Sequence, residues 1–227
     1  MHDPIKLEFS EKYDWEHAQS YLHKHQDSLA RKLSHQRDEQ MARRALALAG
    51  DPGLVLDVPS GAGRFWPLLA EKPNRVIIGA DYSAAMLDTA CAAQPPEVVA
   101  RVKPLQTSAF ALDLPDNAVD SIFCMRLFHH VGQAAHRRAL LQEFKRVSRD
   151  SVILSLWVDG NFKAWRRKRL EARRQADRQD DRYQNRYVLP AKVVEAEFAA
   201  AGFAIQERLD FLPFYAMWRV YLLRKRQ

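Results

Sequence analysis

Several residue types that support particular functions are scarce in this sequence. Only two cysteines, Cys91 and Cys124, occur among its 227 residues. Two cysteines in a chain of this length favour free thiols over a disulfide framework. The histidines of the N-terminal part, such as His17 and His35, lack cysteine or carboxylate partners at zinc-site spacing. We therefore expect free thiols and no metal.

Long apolar runs are also missing. No stretch reaches the roughly 18 apolar residues that a bilayer-spanning helix needs. The charged N-terminal stretch MHDPIKLEFSEKYDW lacks the apolar core of a signal peptide. Hydrophobic residues nevertheless make up 47% of the chain, which is too many for a disordered protein. These features predict a globular protein of the cytoplasm.

Acidic residues are outnumbered by basic residues chiefly in two regions of the chain. Residues 163–186 hold ten Lys or Arg and four acids, a net charge of +6, and the tail Arg224, Lys225 and Arg226 adds +3. Since the whole chain carries +7, the remainder is close to −2. The basic character is therefore local, and any anionic partner is expected at one region of the surface.

Short apolar runs alternate with helical patterns from residue 54 onward. Strands are predicted at residues 54–58, 75–80, 102–106, 120–125, 151–157, 205–209 and 217–223. Helices are predicted at residues 64–71, 84–93, 136–146 and 191–201, after a longer helical region at residues 14–49. Continuously apolar runs such as RVIIGA and SVILSLW are typical of parallel strands buried on both faces. The alternation predicts a doubly wound α/β sheet.

The turn after the first strand is rich in glycine. In LVLDVPSGAGRFWPLLAEK, Asp57 ends the strand, and Gly61 and Gly63 precede a helix. Such a turn brings the backbone close to a ligand and directs N–H groups at it. A P-loop would need Lys-Ser or Lys-Thr after its last glycine, and a dinucleotide fingerprint would need glycine where Trp66 stands. The third ligand that uses such a turn is S-adenosylmethionine (SAM).

The stretch Asp57-Val58-Pro59-Ser60-Gly61-Ala62-Gly63 resembles the first motif of the class I SAM-dependent methyltransferases. That motif is an acid, an apolar residue and Gly-x-Gly-x-Gly. Pro59 replaces its first glycine, which removes one backbone N–H. Asp81 ends the second predicted strand, where an acid in such a sheet meets a ribose. The resemblance implies SAM as cofactor and S-adenosylhomocysteine as product.

The resemblance also implies an architecture. We expect a doubly wound, seven-stranded α/β sheet that is mostly parallel, with an antiparallel last strand and helices on both faces. Residues 1–50 would form an N-terminal helical cap, and residues 51–227 the SAM-binding methyltransferase domain. A basic helical insertion is expected within that domain at about residues 159–190.

Further cofactor contacts are implied by the family pattern. Tyr82 or Met86 would pack on the adenine, with ordinary core packing as the alternative for Met86. Ser108 stands where relatives often carry an aspartate that accepts from the adenine amino group, Ala109 would offer its N–H, and Phe110 would flank the ring. The predicted cofactor-binding residues are Asp57, Pro59, Gly61, Gly63, Asp81, Tyr82, Met86, Ser108, Ala109, Phe110 and Met125.

The segment DSIFCMRLFHHV leads from the fourth predicted strand toward the expected methyl-transfer site, because ligands lie beyond the carboxyl ends of such strands. His129 or His130 is a candidate general base for a hydroxyl or amine acceptor. The alternative is that the pair packs the loop and one histidine contacts the cofactor.

The basic insertion is expected to select the acceptor. One interpretation is an anion-binding lid in which arginines bind phosphate or carboxylate and aromatic side chains stack. The other is a solvated charged helix with ion pairs four residues apart. The predicted substrate-binding residues are Arg126, Trp157, Trp165, Arg166, Tyr183 and Tyr187.

Three functions are compatible with this pattern. The favoured one is methyl transfer to an anionic small molecule or to a phosphorylated glycan or lipid precursor at the inner membrane face. The aromatic segment FLPFYAMW, which we expect beside the basic tail, would contact the bilayer there. The second is an RNA methyltransferase that places the basic insertion on phosphates, although no RNA-binding module or Asn-Pro-Pro-Tyr-type motif accompanies it. The third is a SAM-binding regulatory partner with little catalysis, which Pro59 and Ser108 keep open. The sequence does not indicate an oligomeric state.

Overall fold

The computed structural model describes residue 5, residues 29–176 and residues 186–226. Its helices are α1 (Leu29–Leu48), α2 (Trp66–Leu69), α3 (Ala84–Ala93), α4 (Pro96–Val99), α5 (Ala134–Val147), α6 (Phe162–Ala176) and α7 (Ala191–Ala200). Its strands are β1 (Leu54–Asp57), β2 (Val76–Asp81), β3 (Val102–Gln106), β4 (Val119–Cys124), β5 (Ser148–Trp157), β6 (Phe203–Asp210) and β7 (Trp218–Lys225). Among these described helices, none has the length and apolarity to cross a membrane.

The seven strands form one sheet in the order β3-β2-β1-β4-β5-β7-β6. The pairs from β3 to β5 are parallel, whereas β7 runs antiparallel to both β5 and β6. The predicted doubly wound sheet with an antiparallel last strand is thus confirmed. The order reverses at β1, since the chain moves outward to β2 and β3 and then crosses to β4. Ligands in open α/β sheets bind at such a reversal.

Each face of the sheet carries its own hydrophobic core. Alternate residues of β4 and β5 point to opposite faces, so Ile122 packs with Phe144 of α5 and Phe198 of α7, while Phe123 packs with Trp66 on the other side. Burial on both faces explains why the central strands read as continuous apolar runs.

Helix α1 belongs to the core on the Trp66 face. It buries Met41, Ala42, Ala45 and Leu46, which recur at helical spacing. Near the middle of the helix, the Arg37 guanidinium donates to the carbonyl oxygens of Phe211 and Asp210, at 2.9 and 3.1 Å, at the end of β6. The predicted helical region at residues 14–28 lies outside the described residues.

The helix after the glycine turn is shorter than predicted. The predicted helix at residues 64–71 is observed only as α2, because Gly63 has a φ of +70° and the chain turns until Trp66. Helix α4 was not predicted, since its Pro95-Pro96 start interrupts the helical pattern, although proline suits the first turn of a helix. Ser83 caps α3 by accepting from the Met86 N–H, a role that serine commonly takes at the start of a helix.

The expectation that the aromatic segment lies beside the basic tail is wrong. Strand β7 separates the two, and eight extended residues span about 25 Å. The segment at residues 211–217 lies at the edge where β5 ends, whereas Arg224 binds Asp150 near the start of β5 and Lys225 donates to the Ser148 carbonyl oxygen. The tail therefore belongs to the opposite edge of the sheet.

Gly79 provides a test of the packing beneath the glycine turn. A Cβ at Gly79 would lie 2.7 Å from Trp66 Cζ2 and 3.1 Å from Ser60 Oγ. Gly79→Ala should therefore lower the free energy of unfolding by about 1–3 kcal/mol through overpacking, measured by chemical denaturation. Gly53→Ala is the control, because its Cβ would meet only Asp120 Oδ2 at 3.6 Å. Equal stability of the two variants would contradict this account.

Candidate functional site

The glycine turn follows β1 at the reversal of strand order. Gly61 and Gly63 adopt φ angles of +53° and +70°, which favour glycine. The two glycines have different surroundings. A Cβ at Gly61 would meet nothing within 4 Å, whereas one at Gly63 would lie 2.9 Å from Trp66 and 3.1 Å from Ala90. Gly61 therefore borders open space, while Gly63 allows the helices to pack.

Asp57 holds the turn from inside the protein. Its carboxylate accepts from the Ser60 hydroxyl at 3.0 Å, and the Ser60 oxygen in turn accepts from the Trp66 indole N–H at 3.2 Å. Burial raises the pKa of Asp57 to about 7, and the Ser60 hydrogen bond opposes this rise. Its neighbour Pro59 begins the turn. The observed role of Asp57 is thus to fix the turn's backbone.

Asp81 ends β2 directly across from the turn. Its Oδ2 accepts from the Gly61 N–H at 2.8 Å, and its Oδ1 accepts from the Ser83 N–H at 3.0 Å. Burial raises the pKa of Asp81, and these two N–H groups oppose that shift. Because each carboxylate oxygen can accept two hydrogen bonds, both oxygens retain capacity for a ligand.

The residues predicted around the adenine lie beyond the ends of β2 and β3. Tyr82 is exposed and Met86 is buried, one turn into α3. The Ser108 hydroxyl accepts from the Phe110 N–H at 3.2 Å, and the Phe110 ring contacts His136 at 6.4 Å between centroids. Within the described part of the chain, the Ala109 N–H makes no hydrogen bond.

The loop after β4 carries Met125 and Arg126. Met125 is buried in the core on the Trp66 face. Arg126 has a φ of +68°, and its N–H donates to Ser155 Oγ at 2.8 Å, which anchors the loop to β5. Its guanidinium lies 5.1 Å from the Trp218 ring and donates to the buried carboxylate of Asp38 at 2.5 Å.

His129 lies buried among aromatic rings at the ends of β4 and β5. Its ring stacks on Trp157 at 4.9 Å, meets the edge of Trp218 at 4.9 Å, and lies 4.2 Å from the half-buried His130. Within the described residues, neither His129 Nδ1 nor Trp157 Nε1 has a hydrogen-bond partner, although both are buried. Buried polar atoms are usually satisfied, so these two are available to a ligand.

Arginines surround the stacked pair of His129 and Trp157. The guanidinium carbons of Arg167 and Arg186 lie 4.8 and 5.9 Å from the Trp157 ring. Burial lowers the pKa of His129 well below its usual value, and the charges of His130, Arg186, Arg126 and Arg167 lower it further. The neutral imidazole is therefore the stable form. Arg126 and Arg167 are themselves paired with the carboxylates of Asp38 and Glu171.

The predicted substrate residues are only partly brought together. Tyr187 donates its N–H to the His129 carbonyl oxygen at 2.8 Å, and its ring packs on Gly132. Trp165, 56% exposed, and Arg166 instead lie on the solvent side of α6, away from Trp157. Tyr183 lies outside the described residues.

Sequence reasoning missed several members of this site. Arg167 and Arg186 belong to a long basic run, in which the sequence does not distinguish one arginine from another. Trp218 begins β7, which lies next to the edge strand β6. Asp38 accepts from both Arg64 and Arg126, at 2.9 and 2.5 Å. Asp38 precedes Met41 by three residues and so shares the buried face of α1. That spacing was the signal in the sequence for a buried charge.

A family model described as a methyltransferase domain matches residues 55–151. This range begins in β1 and ends in β5, so it includes the glycine turn, Asp81 and both histidines. None of the curated protein sequences compared with the chain is a match.

Solved structures share the fold across most of the chain. The magnesium protoporphyrin IX methyltransferase of Synechocystis PCC 6803, solved with bound SAM, aligns with a TM-score of 0.71 at 15% identity over 99% of this chain and 100% of that chain. A SAM-dependent methyltransferase from Aquifex aeolicus has a TM-score of 0.62 at 18% identity, covering 93% and 98%. Human N-acetylserotonin methyltransferase in complex with SAM has a TM-score of 0.63 at 15% identity, covering 84% and 52%. At such identities the likeness concerns the fold alone.

The depressed pKa of His129 predicts a pH dependence of stability. As the pH falls below about 6.5, the unfolded chain binds a proton at this position before the folded chain does. The free energy of unfolding should therefore fall by up to about 1.4 kcal/mol per pH unit. His129→Phe keeps an aromatic ring in the stack but cannot titrate, so it should lack this loss in denaturation measured from pH 8 to pH 5.

Taking the difference between wild type and His129→Phe at each pH cancels the titration of the groups that both proteins share. Wild type should lose stability relative to the variant only on the acid side. Parallel curves over the whole range would show that His129 binds protons equally in both states.

Proposed function

The chain carries the domain of the class I, Rossmann-like SAM-dependent methyltransferases, and on that basis we propose that it methylates an anionic small molecule or a phosphorylated glycan or lipid precursor. SAM-dependent methyl transfer is the activity of this domain, and SAM is its cofactor. The class of acceptor rests on one observation, the positions of Arg126, Arg167 and Arg186 around buried His129 and Trp157.

The residues at the strand reversal fit SAM. Asp81 is a buried acid with remaining acceptor capacity, as two ribose hydroxyls require. A side chain at Gly61 would point into open space, and the Gly61 N–H donates to that acid at 2.8 Å. The Ala109 N–H is available for a hydrogen bond to the adenine ring. Pro59 removes one N–H, and the N–H groups of Ser60, Gly61 and Gly63 donate to acceptors within the protein.

SAM supplies a methyl group on a positively charged sulfur, which is open to displacement by a nucleophile. The protein's own contribution is to align the acceptor and to exclude water. The edge where β4 and β5 end provides the surfaces for this, because buried Trp157 and His129 form an aromatic wall there with half-buried Trp218 of β7.

The arginines support an acceptor that carries negative charge. Guanidinium groups bind phosphate or carboxylate through paired hydrogen bonds. Arg167 and Arg186 lie against Trp157, so an anionic group bound by them would lie within reach of the aromatic wall. The unpartnered Trp157 Nε1 adds a donor, and His129 Nδ1 adds a group that donates or accepts according to its tautomer.

The same charges limit His129 as a general base. An imidazolium at this position would be buried beside three guanidinium groups, which opposes proton uptake. An acceptor whose nucleophilic atom is already an anion needs no proton removed, and it would be attracted by those guanidinium groups. His129 then orients the acceptor as a neutral hydrogen-bonding group, while the less buried His130 is the alternative base.

The cofactor assignment is tested by calorimetric titration with SAM and S-adenosylhomocysteine. Asp81→Ala should weaken binding of both by at least about tenfold, because hydrogen bonds to a buried carboxylate are lost. Asp88→Ala is the matched control, since this acid is exposed and lies two residues after Met86 in α3. Both variants should first be shown to unfold cooperatively. Unchanged affinity in folded Asp81→Ala would contradict the assignment.

The acceptor assignment is tested by transfer of a labelled methyl group to pairs of small molecules that differ only in a phosphate or carboxylate. We expect anionic members to be preferred by at least about tenfold, with Arg186→Gln and Arg167→Gln raising KM for them and leaving SAM affinity unchanged. Arg169→Gln is the control, because this residue lies on the solvent side of the same helix.

Other results would indicate other functions. Equal rates on charged and neutral members would contradict an anionic acceptor. Methylation of RNA, with strong salt dependence, would instead indicate an RNA methyltransferase. SAM binding without transfer to any member of the panel or to RNA would indicate the regulatory alternative.

A further inference from the structure

An exposed apolar patch lies at the edge of the sheet where β5 ends. We call it the aromatic-basic patch, and its apolar members come from the first nine residues of α6 and from the loop at residues 211–217. They are Phe162, Trp165, Leu170, Leu212, Phe214 and Tyr215, each of them an exposed large hydrophobic residue. Few soluble surfaces cluster this many large apolar side chains without a function.

Helix α6 presents one face to this patch. Phe162, Trp165 and Arg169 recur at three- and four-residue spacing and are exposed, whereas Ala164 on the opposite side is buried. Arg167, a further two residues past Trp165, turns toward Trp157 instead. The patch and the proposed acceptor site are therefore two faces of the same helix.

The loop holds its aromatic residues in a defined arrangement. Phe214 is 89% exposed and has a φ of +61°, a conformation that is costly for a bulky residue and leaves its ring in solvent. The carbonyl oxygens of Phe214 and Tyr215 accept from the N–H groups of Phe162 and Lys163 at 2.9 and 3.0 Å. The Phe162 ring stacks on Tyr215 at 5.8 Å. Helix and loop thus form one surface.

Positive charges flank the rings, and Asp159 is an acid that lines the cleft between Phe162, Trp165 and Phe214. Lys163 lies 5.1 Å from the Tyr215 ring, and Arg169 lies 5.5 Å from the Trp165 ring. In the described part of the chain, no ion pair involves Lys163, Arg166 or Arg169, whereas Lys168 pairs with Asp159. The patch therefore offers apolar side chains surrounded by uncompensated cations.

We propose that the aromatic-basic patch docks on the surface of an anionic lipid bilayer. Phe, Leu and Trp side chains enter the headgroup region, and nearby lysines and arginines are attracted to anionic lipids. Charge complementarity selects this occupant over a protein surface of ordinary composition. The leucines and the protruding Phe214 favour lipid over RNA, because single-stranded nucleic acid is bound chiefly by stacking and phosphate contacts. Docking would place the edge of the sheet that carries Trp157 at the membrane.

The test is co-sedimentation of the full chain, without SAM, with vesicles of equal parts phosphatidylcholine and phosphatidylglycerol. Vesicles of phosphatidylcholine alone provide the uncharged comparison. Wild type should bind the anionic vesicles at least about tenfold more tightly than the neutral ones. The double variant Trp165→Ser with Phe214→Ser, and separately the triple change of Lys163, Arg166 and Arg169 to Gln, should each weaken that binding at least about tenfold.

Matched controls alter the same chemistry elsewhere. Leu33→Ser with Val193→Ser removes two exposed apolar side chains from α1 and α7. Changing Arg44, Lys103 and Lys192 to Gln removes three exposed charges outside the patch. Both controls should bind anionic vesicles nearly as wild type does, because their residues lie outside the aromatic-basic patch.

Three outcomes would overturn the proposal. They are no preference for anionic vesicles, equal losses in patch and control variants, or patch variants that lose affinity for a single-stranded RNA oligonucleotide while keeping vesicle binding. None of these measurements depends on methyl transfer, so the membrane contact and the proposed enzymatic function can fail independently.

Discussion

The site depends on a buried hydrogen-bonded link between Asp57, Ser60 and Trp66. The Asp57 carboxylate and the Trp66 indole both bind the Ser60 hydroxyl, which ties the end of β1 to the start of α2. This link fixes the glycine turn, so that Gly61 donates its N–H to Asp81 on the neighbouring strand. A charged acid in the core costs stability, and the pKa of Asp57 near 7 reflects that cost.

Positive charge dominates the other half of the site. Burial lowers the pKa of His129 and the charges of Arg186, Arg126 and Arg167 lower it further, while the ring itself stacks on Trp157. Cations that lie over aromatic faces are attracted by the negative charge density of the ring. The site therefore has two parts. The acid and the glycines lie on the β1–β2 side, and the arginines and aromatic rings lie on the β4–β5 side.

The sequence predicted the scaffold well for identifiable reasons. The apolar run SVILSLW is long and uninterrupted, so β5 could be predicted as a strand that is buried on both faces of the sheet. Asp57 and Asp81 end strands, and parallel strands bring their carboxyl ends to one edge, so their proximity followed from the alternation. The turn at Gly61 and Gly63 could be predicted from the same motif, which places two glycines after the strand that Asp57 ends.

Side-chain partners across long sequence separations could not be predicted in this way. Trp165 and Arg167 differ by two positions, and only the packing of Ala164 decides which of them faces Trp157. The spacing within a basic run does not define that helical phase, because charged residues occupy every face. The prediction that the basic tail lies beside residues 211–217 was wrong for a related reason. Strand β7 lies between the two and separates them along its length.

Asp38 lies on α1, outside the sheet, yet its carboxylate joins Arg64 of the glycine turn to Arg126 beyond β4. A chain shortened to begin at residue 51 would keep all seven strands but lose this connection, together with the apolar cover that Met41 provides. The sheet is therefore not a self-sufficient module. Exchange of α1 with the corresponding helix of a relative would alter how the two halves of the site are held together, even though no strand had changed.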